Sequence, residues 1–483
     1  MVFKNYIDGT WCQGEEGLQD VVNPATGQVI GQLSMGGAGD ADRAVQAAKR
    51  AQKQLETMSV FERGDMLFRI SEAILARREE LAKLLSEEHG KIYAEALGEV
   101  SGCAGVFREC GEQIKWMDST VIPYRETKKL CLAMMKPIGI YAVITPWNFP
   151  LGTPCMYYLA PGLAAGCPMI WNPATSTAAV ASAFMQCFED AQVPAGFVSL
   201  VIGKGSVVGD ALTVHPDVAG IGFTGSTETG NRICARAKAK HTTMELGGNG
   251  PCIVLKDADL DLAAEKLMAG SFTNAGQICT STERVLVDDS VADQLVEKLK
   301  AQMGKYRLGD PFDEHATVGP MHEEETIKKV LNHVEDAVRK GAVIVAGGGV
   351  KKDAPTDHYI EPVILDHVSR DALVNKDETF GPVLPLIRFK QETEIRDLVE
   401  DSPYRLFAAI FTRDVDKALV MAQTYNFGCV NINEGSNFWD TMLPAGGGGG
   451  SQSGHGRSGG KYSIRDFSEE RLVVVNLQTQ MVE

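Results

Sequence analysis

Gly139-Ile140-Tyr141-Ala142-Val143-Ile144 is a short apolar run that stops at Thr145-Pro146. Three more such runs follow it: Pro168 to Trp171, ending at Asn172-Pro173; Phe197 to Ile202, ending at Gly203; and Ala219 to Phe223, ending at Thr224-Gly225. Helical lengths of sequence separate them. Short continuous apolar runs suit strands buried on both faces, and their alternation with helices predicts a parallel sheet covered on both sides. The fold class is therefore α/β. Ligands of such sheets gather at the carboxyl ends of the strands, which is where Asn148, Asn172, Gly203 and Gly225 stand.

Outward from this core, Asp40 is expected to cap a helix running through Met58, with Ala44, Ala48, Ala51 and Leu55 on one face. A second helical stretch is expected to begin near Glu62, carrying Met66, Leu67, Ile70, Ile74, Leu81, Leu84 and Leu85; these stripes read as core. Val121 to Lys136 breaks the pattern and reads as a strand pair outside the first domain. After Gly248 a fresh α/β series begins. Its strand candidates are Cys252–Leu255, Arg284–Val287, Val343–Ala346, Phe407–Phe411 and Gly428–Ile432, with helices at Val291–Met303 and Glu323–Lys340. The Gly-Ser-rich stretch Gly446 to Gly460 reads as a linker. The late apolar strand Arg471–Leu477 is expected to pair with another domain or another subunit.

At 483 residues the chain should divide into two or three domains. Its 47 basic and 63 acidic residues leave a net charge of −16, which argues against nucleic acid or an anionic membrane as partner. The N-terminus lacks a signal-peptide layout, and no apolar run approaches the roughly 20 residues that span a bilayer. Eleven cysteines without any C-x-x-C pair argue against a disulfide framework or a zinc site, so no metal is expected and a reducing cytoplasm fits.

The chemistry concentrates between Met244-Glu245-Leu246-Gly247-Gly248 and Gly276-Gln277-Ile278-Cys279-Thr280-Ser281. A thiol can attack an electrophilic carbon, and a carboxylate can activate water to release what the thiol has captured. A buried cysteine and a surface glutamate would be the plainer reading of either residue alone. Asn148 lies in Thr145-Pro146-Trp147-Asn148-Phe149-Pro150, where two prolines fix the backbone around one amide. Such an amide suits an oxyanion hole, or simply satisfies its own loop. The Gly-x-Gly-x-x-Gly dinucleotide fingerprint is absent. Phe223-Thr224-Gly225-Ser226-Thr227-Glu228-Thr229-Gly230 stands instead as a strand, turn and helix start that could receive a pyrophosphate or merely cap the helix. Asp377-Glu378-Thr379-Phe380-Gly381-Pro382 adds a further carboxylate and aromatic.

In this order and spacing the five segments resemble the aldehyde dehydrogenase superfamily over essentially the whole chain. The resemblance implies a Rossmann-type nucleotide-binding domain (1–121 and 138–247), an α/β catalytic domain (248–445) and a β oligomerisation extension (122–137 and 461–483). It implies Cys279 as nucleophile, Asn148 with the Cys279 N–H as oxyanion donors, and Glu245 as activator of water. It places Thr145, Trp147, Asn172, Thr175, Gly225, Ser226, Gly230, Glu378 and Phe380 at the cofactor. It also implies a small-molecule aldehyde as substrate and a homodimer or homotetramer. Two departures bear on specificity. Asn172-Pro173-Ala174-Thr175 replaces a Lys-Pro-Ala-Glu/Ser run, leaving NAD slightly favoured and NADP possible. Pro444-Ala445 before Gly446–Gly450, together with one extra residue after Phe149, alters the substrate walls, for which Phe149, Met156, Tyr157, Thr280, Phe438 and Trp439 are the candidates. These are mainly apolar. An acylating, coenzyme A-dependent relative and a weakly active binding member of the fold are the rival readings, and Glu245 argues against the first.

Overall fold

Strand Tyr141–Thr145 lies between Met169–Pro173 and Gly220–Thr224 inside an eight-stranded sheet of the computed structural model, which describes residues 1–478. The four runs expected as strands are four of its five parallel members. The fifth, His241–Glu245, pairs in parallel with Gly220–Thr224. It carries Thr242 and Thr243 in place of an apolar run, so hydrophobicity alone does not reveal it. Its last residue is Glu245. Antiparallel strands close both ends of the sheet: Asn5–Ile7 with Thr10–Cys12 on one side, Gly454–His455 on the other.

The second sheet has seven strands in the order Val343–Gly347, Val363–Asp366, Val383–Phe389, Thr282–Asp288, Gly250–Val254, Phe407–Phe411, Cys429–Ile432. Only the first is antiparallel to its neighbour. Each sheet carries its own packed cluster, one around Tyr141, Trp171 and Phe184, the other around Phe272, Val285 and Phe411.

Three expectations need correction. The first long helix spans Ala38–Thr57 with Gly37 at its cap, so Asp40 sits inside it. Its carboxylate reaches back to the N–H of Gly37 at 3.0 Å and of Glu15 at 3.1 Å, capping from the third position rather than from the first. The second helical stretch starts at Val60, because Ser59 and Glu62 cap each other, and it breaks at Arg77 into Val60–Ala76 and Arg78–His89.

The Gly446–Gly460 stretch is no linker. The N–H groups of Ala445 and Ser458 donate to each other's carbonyl oxygens at 2.7 and 2.8 Å, and Gly454–His455 pairs with Met244–Glu245. Here the glycines permit backbone to lie on backbone: a Cβ at Gly454 would stand 1.9 Å from the Met244 carbonyl oxygen.

The late strand, Ser468–Asn476, pairs antiparallel with Lys129–Pro137 of the same chain, and Thr120–Ile122 completes this three-stranded sheet. The expected strand pair and the expected late strand are thus one element. Residues 479–483, the tail of the extension expected over 461–483, lie outside the described residues. Among the described residues no helix is long and apolar enough to cross a membrane.

Candidate active site

Glu245 ends a strand of the first sheet, Cys279 lies in the loop that leads into strand Thr282–Asp288 of the second, and the two segments meet at a glycine. A Cβ at Gly248 would lie 1.9 Å from the Cys279 carbonyl oxygen, so only glycine lets the turn after Glu245 approach the cysteine loop so closely. On the cysteine side, Asn274, Ala275 and Gly276 have φ of 52°, 54° and 73°. Two consecutive non-glycine residues in the left-handed region cost roughly 1–2 kcal/mol each, and neighbouring hydrogen bonds hold them there. Glu95 accepts the Asn274 N–H at 2.9 Å, Gln277 Nε2 donates to the Asn274 carbonyl at 3.0 Å, and Ser281 Oγ donates to the Gly276 carbonyl at 3.0 Å.

Asn148 is held from beneath. The buried Lys91 ammonium donates to its carbonyl at 3.0 Å and pairs with Glu99 at 2.5 Å, while Glu99 Oε1 accepts the N–H groups of Leu151 and Gly152 at 3.0 and 2.8 Å. The Asn148 amide donates to the Gln277 carbonyl at 3.0 Å, tying its loop to the cysteine loop.

These loops enclose a cavity of about 470 Å³ lined by Cys279, Glu245 and Asn148. Trp147, Gly225, Ser226, Glu378 and Phe380 line the same cavity, as do Phe149, Met156, Tyr157, Thr280 and Trp439. The structure thus brings together all three catalytic candidates, five of the cofactor candidates and five of the six pocket candidates. Phe438 stays outside, half exposed. Thr145 is buried under Trp171, whose ring N–H it accepts at 2.8 Å. The Asn172 amide is also buried and donates to the carbonyls of Val201 and Gly203 at 2.9 and 3.0 Å. Thr175 lines a separate groove, and Gly230 packs against Leu246. A π-helical turn, Pro154–Leu159, carries Met156 and Tyr157, both of which line the cavity.

Burial governs the electrostatics. It pushes Glu245 up to about 8, opposed by the Ser458 hydroxyl and Arg457 and reinforced by Asp466. It also pushes the Cys279 thiol up, with the charges of Glu245 and Glu378 adding to the effect. Glu378 is raised by burial and eased by the Gly248 N–H, which donates to it at 2.8 Å, and by the charge of Lys329. Burial and the neighbouring carboxylates thus both favour the protonated thiol, whose proton must be removed before the sulfur acts as a nucleophile.

A model of the aldehyde dehydrogenase family matches residues 11–473. The chain belongs to that family. It is 38% identical over 467 residues to a glutarate-semialdehyde dehydrogenase of Pseudomonas aeruginosa, covering 96% of this chain and 95% of that one. It is 37% identical to an Escherichia coli NADP-dependent succinate-semialdehyde dehydrogenase, covering 98% and 97%. The crystal structure of Staphylococcus aureus betaine aldehyde dehydrogenase in complex with NAD superposes with a TM-score of 0.93 at 30% identity, covering 99% and 96%. As an aldehyde dehydrogenase the chain oxidises an aldehyde to the carboxylic acid with NAD or NADP.

For this aldehyde dehydrogenase the groups lining the cavity suit the nicotinamide end of a dinucleotide. Trp147 and Phe380 stand edge to face at 5.6 Å, Glu378 lies beside them, and Gly225 and Ser226 bring the start of the Thr227–Ala237 helix to the rim. Phe380 has φ of 61° and is fixed by Glu283, which accepts the N–H groups of Thr379 and Phe380 at 2.6 and 2.8 Å. Sequence reasoning missed Lys91, Glu99, Glu283, Thr326 and Lys329. Glu99, Thr326 and Lys329 line the cavity, and Lys91 and Glu283 hold its loops. None of them lies within a recognisable motif.

Proposed function

We propose that Cys279 attacks the aldehyde carbon, with Glu245 accepting the thiol proton, and that Asn148 and the Cys279 N–H hold the resulting oxyanion. The nicotinamide, when bound, accepts the hydride. A thioester on Cys279 remains. Glu245, having passed the thiol proton on to solvent, then removes a proton from the water that attacks the thioester, and the acid leaves as the Cys279 sulfur is expelled and reprotonated. The observation that carries this reading is the shared cavity: a thiol, a buried carboxylate raised to about 8 and an anchored amide face one space.

The walls favour a neutral aldehyde with an apolar or aromatic tail. Phe149, Met156, Tyr157, Phe407 and Trp439 line them, with Tyr157 and Trp439 5.4 Å apart. Among the described lining residues Lys329 is the one cation, and its charge acts on Glu378. A carboxylate tail of the kind carried by the semialdehydes named for its relatives would thus be buried unpaired. For the cofactor, NAD is favoured. Ser176 beside Thr175 bonds to Glu323 at 3.4 Å, and Glu324 and Glu325 share that groove with Lys328, whose ammonium is paired with Glu324 at 3.2 Å, so an added 2′-phosphate would meet a lining richer in carboxylates than in cations.

Absorbance of the reduced nicotinamide tests these statements together. Without coenzyme A, aliphatic or aromatic aldehydes are expected to exceed succinic semialdehyde in kcat/KM by about tenfold or more, and NAD is expected to outperform NADP. Semialdehydes turning over best would overturn the pocket reading. A requirement for coenzyme A would overturn the hydrolytic one.

The domain division is proposed as stated from sequence, in a cytoplasmic homodimer or homotetramer. Strand Ser468–Asn476 has Lys129–Pro137 on one edge and no strand on the other among the described residues, and it exposes Leu472 and Val474. A second copy of the chain fits that edge. Leu472→Asp is expected to reduce the mass measured by light scattering to that of the monomer. A monomeric parent enzyme would refute the assembly.

A further inference from the structure

The glycine-rich segment that reads as a linker instead lies against the proposed base. We propose that Ser458 is a positioning residue for Glu245: its hydroxyl holds Oε1, leaving the other carboxylate oxygen for the cavity shared with Cys279. This rests on Glu245 being the base that activates water.

The contact is direct and built from backbone. Ser458 Oγ donates to Glu245 Oε1 at 3.0 Å, and the two residues are 1% and 5% exposed. Ser458 cannot drift, because its own N–H and carbonyl are both bonded to Ala445 and the next N–H, of Gly459, donates to Ser463 Oγ at 2.6 Å. The neighbouring glycines leave no slack. A Cβ at Gly459 would stand 1.9 Å from the Leu443 carbonyl oxygen, and one at Gly446 would stand 2.7 Å from that of Gly456.

Other groups face Glu245 but are engaged elsewhere. Arg457 Nη1 donates to the carbonyls of Gly447 and Gly456 at 3.1 and 2.6 Å. Asp466 accepts from Thr243 at 2.5 Å. The Tyr158 hydroxyl pairs with Thr224 at 2.7 Å. Tyr157, Cys429 and Cys279 are each raised in turn by the charge of Glu245 and make no hydrogen bond to it. Among the described residues Ser458 is the sole side-chain donor bonded to the Glu245 carboxylate. A carboxylate this deeply buried relies on such a donor to ionise. Without it the ionised fraction at neutral pH falls and the carboxylate loses its fixed orientation.

The test is the pH dependence of thioester hydrolysis. Acyl-enzyme is formed from aldehyde and dinucleotide, and its decay is followed by chemical quench from pH 6 to 10 in the parent, Ser458→Ala, Ser458→Thr and Glu245→Gln. Ser458→Ala is expected to hydrolyse about fivefold more slowly at pH 7, with its rising limb displaced to higher pH and the deficit shrinking above it. Ser458→Thr, which keeps the hydroxyl, should restore both rate and limb to within about twofold. A limb for Ser458→Ala at the parent pH, whatever its rate, overturns the positioning role. If Ser458→Ala fails to fold, Ser458→Cys, a weaker donor of similar size, carries the same expectation, and an undisplaced limb there overturns it equally. Parent-like hydrolysis by Glu245→Gln would instead bring down the underlying assignment of the base, an outcome distinct from the first.

Discussion

A Cys279→Ala enzyme is expected to lose aldehyde oxidation by a factor on the order of 10⁴ or more, while binding dinucleotide as the parent does. The reaction needs a covalent adduct that can expel hydride, and the cavity offers no substitute for the thiol. The Tyr157 hydroxyl is raised far above its usual range by burial and by the charges of Cys279 and Glu245, so it cannot supply an anion. The substitution is also conservative for the scaffold. The close approach of Gly248 is to the backbone carbonyl of residue 279, and the left-handed run Asn274–Gly276 is held by Glu95, Gln277 and Ser281. Nucleotide binding, followed through the fluorescence of Trp147 at the cavity wall, reports whether the site survives. Oxidation at the parent rate would remove Cys279 as nucleophile.

Glu245→Gln is expected to separate the two halves of the reaction. Gln can still accept from Ser458 but cannot remove a proton. With the opposing charge of Glu245 gone, the thiol can still lose its proton to solvent before attack, whereas the hydrolytic water must be deprotonated as it attacks, so thioester hydrolysis should slow on the order of 10²- to 10³-fold. The first turnover should then release one equivalent of reduced nicotinamide per site, followed by a slow steady state with acyl-enzyme detectable by intact-protein mass. In the parent, hydrolysis should rise with pH through a midpoint near 8, because the useful form of Glu245 is the ionised one and burial raises it to about 8. That limb should vanish in the variant. A parent-like steady state with no trapped thioester would assign the water-activating proton transfer to another group.

The parallel sheet was legible because its strands are continuous apolar runs ended by Pro, Asn or Gly. His241–Glu245 was not, since its two threonines meet polar neighbours, Thr243 bonding to Tyr141 and Asp466 and Thr242 to His455. The candidate centre was readable because Asn148, Glu245 and Cys279 each lie in a motif. Lys91 acts on Asn148 from 57 positions away and Glu283 acts on Phe380 from 97 away, distances at which a single sequence carries no local pattern. The Gly446–Gly460 stretch misled for a physical reason. Composition cannot distinguish glycines that confer freedom from glycines that make room for a second backbone, and here they make room. Asn172 was expected at the cofactor, but the carbonyls of Val201 and Gly203 occupy its amide.

The pairing of Gly454–His455 with Met244–Glu245 bears on how the enzyme comes into being. Ser458 lies 213 positions beyond the glutamate it touches, so that contact closes one of the longer loops in the molecule. During synthesis the nucleophile and the base are both made well before the segment that encloses the base. A nascent chain that stops short of Gly454 therefore holds the reactive pair unfinished, open to water on the side the edge strand will cover. Competence waits for Gly454 to Ser458.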